Sequence, residues 1–298
     1  MIKRTLYFGN SCLLRKKNNQ LVAEFAADTG NPELSVPIED IGLLMLDNCQ
    51  ITISTALLMA LNENNTAVIN CNDSHLPYGL MLPMFSHNIF PEKLRNQLEA
   101  SVPLMKNLWM QTVVAKISNQ SALLKRKGAN TEKMEYYIRQ VKSGDPQNIE
   151  GRAAAYYWKQ LWAERFFVRH RFGEPPNNLL NYGYAILRAV IARSLVMSGL
   201  FPSIGIHHRN KYNPYCLADD IMEPYRPYVD SLVMDIVSDT TEIEDLTPSV
   251  KRRLLETPAI DIMIDGKTSP LMVGAQRTTA SLAACFDGTA RKILFPEF

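Results

Sequence analysis

Residues 205–230 read GIHHRNKYNPYCLADDIMEPYRPYVD, and this segment decides how the second half of the chain is interpreted. His207 and His208 follow an apolar stretch that is typical of a loop or an extended strand. Asn213 and Pro214 form a helix-start pattern, an N-cap residue followed by proline at the first helical position. The segment therefore predicts a histidine pair in a loop, followed directly by a short helix.

That short helix carries an acidic cluster. Glu223 shares a face with Asp219 at i+4 and with Asp220 at i+3, and Pro224 ends the helix because the residue before a proline is pushed out of the α region. The acids stand among apolar neighbours, so part of the helix should be buried, and buried carboxylates need partners. One imidazole with carboxylate oxygens suits a divalent ion such as Mn²⁺ or Mg²⁺. The alternative is a solvated acidic helix beside a polar loop.

The whole chain has the size and composition of a soluble protein with two domains. It contains 298 residues, of which 46% are hydrophobic and 21% charged, and this length is enough for two cores. The five cysteines are scattered, odd in number and without CxxC spacing, which is typical of reduced thiols. The N-terminus lacks the pattern of a signal peptide, and no run of about 20 apolar residues is found. We therefore expect a soluble, cytoplasmic protein.

Positive charge is concentrated in the middle of the chain. Residues 101–175 contain 13 Lys and Arg against 6 Asp and Glu, whereas the remainder contains 19 against 24. The central segment is therefore strongly basic, although the net charge of the chain is only +2. Such a split indicates a surface that faces a polyanion. The alternative is a solvated helical face that is rich in lysine.

Turn signals and apolar runs predict a small β-rich domain over residues 1–95. Strand-like runs occur at residues 4–8, 12–16, 21–25, 41–46 and 66–71, separated by clusters of turn residues. Residues 54–61 are the exception and predict one helix with a serine cap.

After a predicted linker at residues 91–103, helical spacing dominates and predicts a larger all-α domain over residues 101–298. We expect a long buried helix that follows residues 175–178 and ends at Gly199, and a helix opened by Asp145 and Pro146. The other predicted helices cover residues 104–127, 132–141, 227–237, 248–256 and 271–286. Residues 260–267 alternate and permit a small hairpin. The predicted fold class is therefore α+β with two domains.

Glu150 is a candidate ligand outside the histidine segment. It aligns with Ala153, Ala154 and Tyr157 at i+3, i+4 and i+7, which is the apolar face of its predicted helix. A lone glutamate on a packed face is costly unless it is paired or bound to a metal. The alternative is a solvated acid in the first turn.

Arg165 and Arg169 are candidate DNA contacts. They lie in a basic cluster that follows Trp162, and Phe166 and Phe167 stand between the two arginines. Basic residues with interleaved aromatic rings can follow a phosphate backbone. The alternative is that the rings belong to the hydrophobic core.

Several enzyme classes are excluded by missing motifs. The chain has no GxxxxGK[ST], GxGxxG, GxSxG or HExxH sequence, which argues against nucleotide hydrolases, dinucleotide enzymes, serine hydrolases and zincins. What remains is the set of acids and histidines beside a basic helical region. That combination favours metal-assisted phosphoryl chemistry on a nucleic acid.

Residues 179–230 resemble the signature of the CRISPR-associated integrases and endonucleases known as Cas1. The sequences GIHH, LADD and MEPYRP within this stretch are similar to the variant that accompanies Cas9, called type II. The resemblance extends through Glu150, which precedes the aromatic residues 156–158, and the two-domain layout of the whole chain agrees with it.

The resemblance implies a divalent-metal site for Mg²⁺ or Mn²⁺ built from Glu150, His208 and Glu223, with Asp220 as a supporting acid. Many family members have an aspartate at the position of Glu223, so Glu223, Asp220 or both could contact the ion. His207 is the competing histidine, ranked second because the family pattern places the ligand next to the following loop.

The family resemblance also implies a function and partners. The implied reaction is spacer acquisition, in which the 3′-hydroxyl ends of a foreign DNA fragment are joined to the CRISPR repeat by transesterification. The implied partners are a second copy of the chain, bound through the N-terminal domain, a Cas2 dimer that completes a heterohexamer, double-stranded DNA and Cas9. Two alternatives stay open: a metal-dependent nuclease for branched DNA, and a DNA-binding scaffold without catalysis.

Overall fold

The computed structural model describes residues 3–25, 32–84, 86–163, 167–170, 172–239 and 245–298. The chain divides into two compact units, Met1–Asn88 and Ile89–Phe298. The first unit is β-rich and the second is mainly helical, which confirms the predicted fold class.

The described residues of the first unit form two four-stranded sheets, one α-helix and a 3₁₀ turn at Ile38–Asp40. Its elements are β1 (Arg4–Phe8), β2 (Cys12–Lys17), β3 (Gln20–Phe25), β4 (Leu34–Pro37), β5 (Ile41–Leu46), β6 (Thr52–Ile53), α1 (Thr55–Glu63), β7 (Ala67–Cys71) and β8 (Pro77–Met81). One sheet has the order β1-β5-β7-β8 and the other the order β4-β3-β2-β6.

Sequence patterns explain these sheets. In β5 the first five residues are all buried, as expected for a strand that has parallel partners on both sides. In β2 buried Cys12 and Leu14 alternate with exposed residues, because successive side chains point to opposite faces. Asn18 and Asn19 join β2 to β3 with φ angles of 50° and 58°, which is the type of turn that closes a two-residue hairpin.

Where the structure describes it, the second unit is a bundle of helices with one hairpin. Its elements are α2 (Phe90–Leu98), α3 (Val102–Arg126), α4 (Glu132–Gln140), α5 (Ile149–Leu161), α6 (Asn177–Met197), α7 (Cys216–Met222), a 3₁₀ turn (Glu223–Tyr225), α8 (Arg226–Asp239), α9 (Pro248–Leu254), β9 (Asp261–Ile264), β10 (Lys267–Pro270) and α10 (Leu271–Phe286). The β9–β10 hairpin means that this unit is not all-α.

Helix α6 is the central helix, as its apolar positions predict. In the described ranges it is the one helix with the length and mean hydropathy, 1.2, of a membrane span, and 78% of that window is buried inside the protein. Its apolar side chains therefore form the core of the helical unit, where α7, α8 and α10 pack against it.

The structure differs from the expected architecture at three points. The stretch taken as a linker contains α2, whose proline at the start of the helix lies at the position that tolerates proline. The chain divides at Asn88 and Ile89, earlier than the predicted linker. Three strands, β4, β6 and β8, have no counterpart in the prediction, because they are short or carry proline at one end.

Two helices start later than the proline signals predict. Helix α7 begins at Cys216 and not at Pro214, because the side chain of Asn213 accepts a hydrogen bond from the N–H of Tyr215 and forms a local turn instead. Helix α5 begins at Ile149, three positions after Pro146, with Asn148 as its N-cap. Helix α7 ends at Met222, so Glu223, which was predicted to lie on this helix, is the first residue of the 3₁₀ turn that contains Pro224.

Candidate functional site

One face of α3 organises the candidate site. Trp109, Lys116 and Gln120 stand at i, i+7 and i+11, a spacing that places them on the same side of the helix. Trp109 is only 2% exposed and Lys116 only 6%. A lysine at a buried position of an apolar face needs partners of opposite charge.

Glu150 and Glu223 are those partners. The ammonium of Lys116 forms an ion pair with Oε1 of Glu150, and it lies 2.6 Å from Oε2 of Glu223. Glu150 belongs to the first turn of α5, and Glu223 opens the 3₁₀ turn after α7. Two predicted ligands from separate segments are therefore brought together at one ammonium.

The charges around Glu223 fix its ionisation. Arg226 donates a hydrogen bond from Nε to Oε1 of Glu223 at 2.9 Å. Burial raises the pKa of the Glu223 carboxyl, but the charges of Arg226 and Lys116 outweigh it and lower the pKa to about 2. For Lys116, burial lowers the pKa, yet Glu223 and Glu150 raise it further, so the pKa lies above its usual value. At neutral pH Glu223 and Lys116 are therefore both charged.

The start of α5 sets the position of Glu150. The carboxylate of Asp145 accepts hydrogen bonds from the backbone N–H groups of Ile149 and Glu150, each at 2.9 Å. The side chain of Asn148 accepts from the N–H of Gly151. These bonds satisfy donors that the first turn of a helix leaves unpaired. Glu150 is therefore held on a fixed backbone, facing Lys116, and is not a free solvated acid.

Asp220 holds the histidine loop. Its side chain is fully buried, and its two oxygens accept hydrogen bonds from the backbone N–H groups of His207, at 2.9 Å, and His208, at 3.3 Å. Nδ1 of His208 lies 2.5 Å from Oδ1 of the same carboxylate. Gly205 packs so closely that a β-carbon there would lie 2.4 Å from the carbonyl oxygen of His208. Asp220 thus positions His208 and the loop around it.

The hydrogen bond to Asp220 also sets the chemical state of His208. Because an ionised carboxylate can only accept, Nδ1 of His208 carries the proton, and in the neutral ring Nε2 keeps its lone pair. The hydrogen bond to Asp220 raises the pKa of His208. This arrangement matches the histidine–carboxylate pair that orients histidine ligands in metal sites.

His207 has a different environment. Its ring stacks on the indole of Trp109, whereas His208 meets that indole edge-on. Burial, followed by the nearby His208, lowers the pKa of His207. The two histidines are therefore distinguished by their contacts: His207 packs against an aromatic ring, and His208 is hydrogen-bonded to an acid.

A small cavity of about 110 Å³ adjoins Glu223. It is lined by Lys116, Gln120, Trp158, Arg169, Tyr184, Glu223, Arg226 and Asp230. Asp230 is fully buried there and accepts hydrogen bonds from the hydroxyls of Tyr157, at 2.7 Å, and Tyr184. Burial raises the pKa of Asp230 to about 6, although both tyrosines oppose the shift.

Arg169 lines this cavity and also forms hydrogen bonds with other side chains of the protein. Its Nη atoms donate to the side-chain oxygens of Asn177 and Asn181 on α6, at 2.9 and 2.8 Å. Its guanidinium lies over the ring of Tyr184. Arg165 and Phe166 lie outside the described residues. The ring of Phe167 packs against Trp158 and Trp162, as the core interpretation of these aromatics predicts.

The donor atoms of Glu150, His208 and Glu223 are of the type that binds a divalent metal ion. Within the ranges that the structure describes, no three His, Cys, Asp or Glu side chains already form a group that could hold one, since Lys116 lies between Glu150 and Glu223. Oε2 of Glu223 is nevertheless buried and accepts no hydrogen bond of ordinary geometry. His208 interacts electrostatically with Glu223, and two carboxylates with one imidazole are a suitable donor set for Mg²⁺ or Mn²⁺. The residues fit the ion, and their assignment as ligands stays a prediction.

Sequence reasoning missed Lys116, Trp109 and Arg226. The signal for Lys116 was present: it is a single lysine at helical spacing among apolar residues that are buried in α3, namely Leu108, Trp109, Val113 and Ile117. A pattern of this kind predicts a buried ion pair. Nothing in the sequence identifies its partners.

α3 also secures the backbone beside Glu223. The amide of Asn119 donates to the carbonyls of Pro224, at 2.8 Å, and Pro296, at 2.9 Å. Its side-chain oxygen accepts from the N–H of Phe298 at 3.1 Å. One buried amide thus ties the 3₁₀ turn to residues 296–298.

Comparison with known proteins identifies the family. Residues 6–264 match the family model described as CRISPR associated protein Cas1. The chain belongs to the Cas1 family. The CRISPR-associated endonuclease Cas1 of Neisseria meningitidis serogroup C is 32% identical over 300 residues, which cover 100% of this chain and 97% of that relative. A second Cas1 relative, from Saccharolobus solfataricus, is 30% identical over 226 residues and covers 73% of this chain and 70% of its own.

Solved structures share the fold. A casposase bound to its integration product superposes with a TM-score of 0.80 at 20% identity, covering 100% of this chain and 94% of that one. A Cas1 protein from Thermotoga maritima gives a TM-score of 0.77 at 18% identity, covering 96% and 97%. A Cas6-RT-Cas1–Cas2 complex gives 0.74 at 20% identity, covering 99% of this chain and 36% of that one. The architecture described above is therefore the architecture of Cas1 proteins.

Proposed function

We propose that this chain is a metal-dependent DNA integrase and endonuclease of CRISPR spacer acquisition, which joins the 3′-hydroxyl ends of a DNA fragment to the CRISPR repeat. Membership of the Cas1 family supports the proposal at the level of the whole chain. The convergence of Glu150 and Glu223 on Lys116 supports it at the level of the site and is the observation that carries it. His208 adds to this support, because it interacts electrostatically with Glu223.

Glu150, His208 and Glu223 would hold a Mg²⁺ or Mn²⁺ ion. Such an ion, when bound, activates the attacking hydroxyl and offsets the charge that develops at phosphorus. The chain's own residues supply the rest. Asp220 keeps the proton of His208 on Nδ1, so that Nε2 is available as a donor atom.

Two positive side chains lie where they can serve the reaction. Arg226 keeps Glu223 ionised and remains partly exposed, with 23% of its side chain accessible. Arg169 lines the same cavity. We propose that these guanidiniums, together with Arg165, receive phosphate groups of the DNA, for which arginine is suited by its planar set of donors.

The proposal includes partners and a location. Two structures with the Cas1 fold support the choice, one of a casposase with its integration product and one of a complex that contains Cas2. We propose a homodimer through the β-rich unit, a heterohexamer with a Cas2 dimer, and binding of double-stranded protospacer and repeat DNA in the cytoplasm. The GIHH, LADD and MEPYRP sequences support the type II variant and hence a link to Cas9.

A strand-joining assay tests the function. Labelled duplex with free 3′-hydroxyl ends is incubated with plasmid carrying the CRISPR repeat, Mn²⁺ and the small Cas2 partner, and joined products are counted. Wild-type protein should join the strands, whereas Glu150→Gln and Glu223→Gln should bind DNA and leave it unjoined. Joining by both variants at the wild-type rate would overturn the enzymatic proposal and favour a scaffold. Cleavage of branched DNA without Cas2, and no joining with it, would favour the nuclease.

A further inference from the structure

Lys116 is a charged residue at the candidate site to which the proposed reaction assigns no role. Its side chain is 8% exposed, and its ammonium lies between the two carboxylates that are proposed as metal ligands. We infer that Lys116 occupies the cation position between Glu150 and Glu223 in the ion-free protein and makes binding of the divalent ion dependent on DNA phosphate. This inference rests on the proposed function, since it assumes that these carboxylates bind the ion.

The charge balance of the cluster supports the inference. Glu150 and Glu223 carry two negative charges, and Lys116 and Arg226 carry two positive ones. The ion-free cluster is therefore neutral without any metal. A divalent ion added to it would face an ammonium within a few ångströms, at a site where charges interact strongly because water is largely excluded. A DNA phosphate group that enters together with the ion offsets one of its two positive charges.

The structure also offers a second position for the ammonium. Gln120 lies one turn further along α3 and lines the same cavity as Lys116. Its Oε1 atom is buried and has no hydrogen-bond partner among the residues that the structure describes, although a buried acceptor without a donor is costly. Rotation of the flexible lysine side chain towards Gln120 would supply that donor. The same movement would free Oε1 of Glu150 and Oε2 of Glu223 for the ion.

The two positions of the Lys116 ammonium couple the binding of the ion to the binding of DNA. Phosphate favours the state in which the ammonium has left the carboxylates, because both the ammonium and the ion then face a negative group. Since such coupling is reciprocal, the ion must strengthen DNA binding by the same factor by which DNA strengthens ion binding. Lys116 therefore acts as a positioning residue, which limits ion binding in the absence of DNA.

Ion affinity is the readout that tests the inference. Mn²⁺ binding is followed by electron paramagnetic resonance in the full-length protein, alone and with a short duplex that has free 3′-hydroxyl ends, after subtraction of the ions bound by duplex alone. For wild type we expect weak binding that DNA strengthens by about ten-fold or more, a typical size for coupling between sites. For Lys116→Met we expect binding without DNA to tighten by about ten-fold, and the effect of DNA to shrink accordingly.

Two further variants complete the test. Lys251→Met is the matched control, because Lys251 is also a lysine only 6% exposed but lies over the ring of Tyr182; its Mn²⁺ affinity should equal that of wild type. Gln120→Leu removes the second acceptor without removing a charge and should weaken Mn²⁺ binding. This variant keeps the inference testable if Lys116→Met fails to fold.

The outcomes separate this inference from the proposed function. Unchanged or weaker Mn²⁺ binding by Lys116→Met, or unchanged binding by Gln120→Leu, would overturn the role of Lys116, even while Glu150→Gln abolishes strand joining. Strand joining by Glu150→Gln and Glu223→Gln at the wild-type rate would instead overturn the proposed function, and the inference with it.

Discussion

The imidazole of His207 lies parallel to the indole of Trp109, with 4.1 Å between ring centroids and 2° between ring planes, while His208 meets the same indole edge-on at 5.6 Å. One buried tryptophan therefore contacts both members of the histidine pair. The stacked ring of His207 packs against the indole of Trp109. The edge-on ring is bonded to Asp220 through Nδ1, and this difference determines which histidine we expect to be essential.

Substitution of the two histidines should give opposite results. His208→Ala removes the proposed ligand atom, so strand joining in Mn²⁺ should fall by more than about a hundred-fold, beyond the loss typical of residues that only support a ligand. His207→Ala removes a stacking partner, so it should lower the melting temperature and keep most of the joining activity. An inactive His207→Ala beside an active His208→Ala would show that the assignment is wrong by one residue.

Gly205→Ala should reduce activity without unfolding the protein. A β-carbon at this position would lie 2.4 Å from the carbonyl oxygen of His208 and 2.8 Å from Oδ2 of Asp220. The loop must therefore shift, and the hydrogen bond that orients His208 must change with it. We expect a loss of strand joining with an unchanged circular dichroism spectrum. Tyr212→Ala, in the same loop region but 81% exposed, is the control and should behave as wild type.

Arg169→Ala should weaken DNA binding and reduce its dependence on salt. The slope of log affinity against log salt should decrease by about 0.9 for one lost phosphate contact. Because Arg169 also bonds to Asn181, the variant should melt at a lower temperature. Asn181→Ala removes that bond but keeps the arginine charge, so it should lower the melting temperature and leave the salt slope unchanged. The same slope in Arg169→Ala and wild type would restrict Arg169 to a structural role.

Asp230 should make stability depend on pH. Burial raises its pKa from 3.8 to about 6 in the folded protein, so the folded state keeps a proton that the unfolded chain releases between pH 4 and 6. The contribution of this group is therefore complete below pH 4 and is lost as the pH rises through 6, at a cost of about 3 kcal/mol. In Asp230→Asn the side chain does not ionise, so this contribution to stability does not change with pH.

Denaturant unfolding of both proteins measures this effect. The free energy of unfolding of wild type, relative to Asp230→Asn, should decrease by about 3 kcal/mol from pH 4 to pH 7. Tyr157→Phe removes one donor to the carboxylate and should move the transition to higher pH. A difference between wild type and Asp230→Asn that stays constant with pH would contradict the prediction.

Most of the fold could be predicted from the sequence where periodicity was strong. α3, α6 and α10 have long apolar patterns, and their predicted bounds agree with the structure to within a few residues. Helix starts were less well predicted, because proline signals are local. Asp145 and Asn148 have φ angles of 45° and 49°, so the chain turns before α5 begins, and their side chains then cap the helix.

At the site, the sequence indicates which residues need partners but does not identify those partners. Glu150 was predicted to need a partner because it lies on a packed face, and the structure supplies Lys116 as that partner. The pairing could not be predicted, since it depends on how α3 packs against α5. Asp220 was predicted as a supporting acid, and its carboxylate contacts Nδ1 of His208 and so orients that ring. Its identity as a ligand, like that of Glu150, His208 and Glu223, stays a prediction.

The amide of Asn119 connects the candidate site to a segment that is distant in the sequence. It holds the carbonyl of Pro224, next to Glu223, and the backbone of residues 296–298 in the same small network. A substitution that displaces residues 296–298 would therefore also loosen the turn beside Glu223, although the two segments are far apart along the sequence.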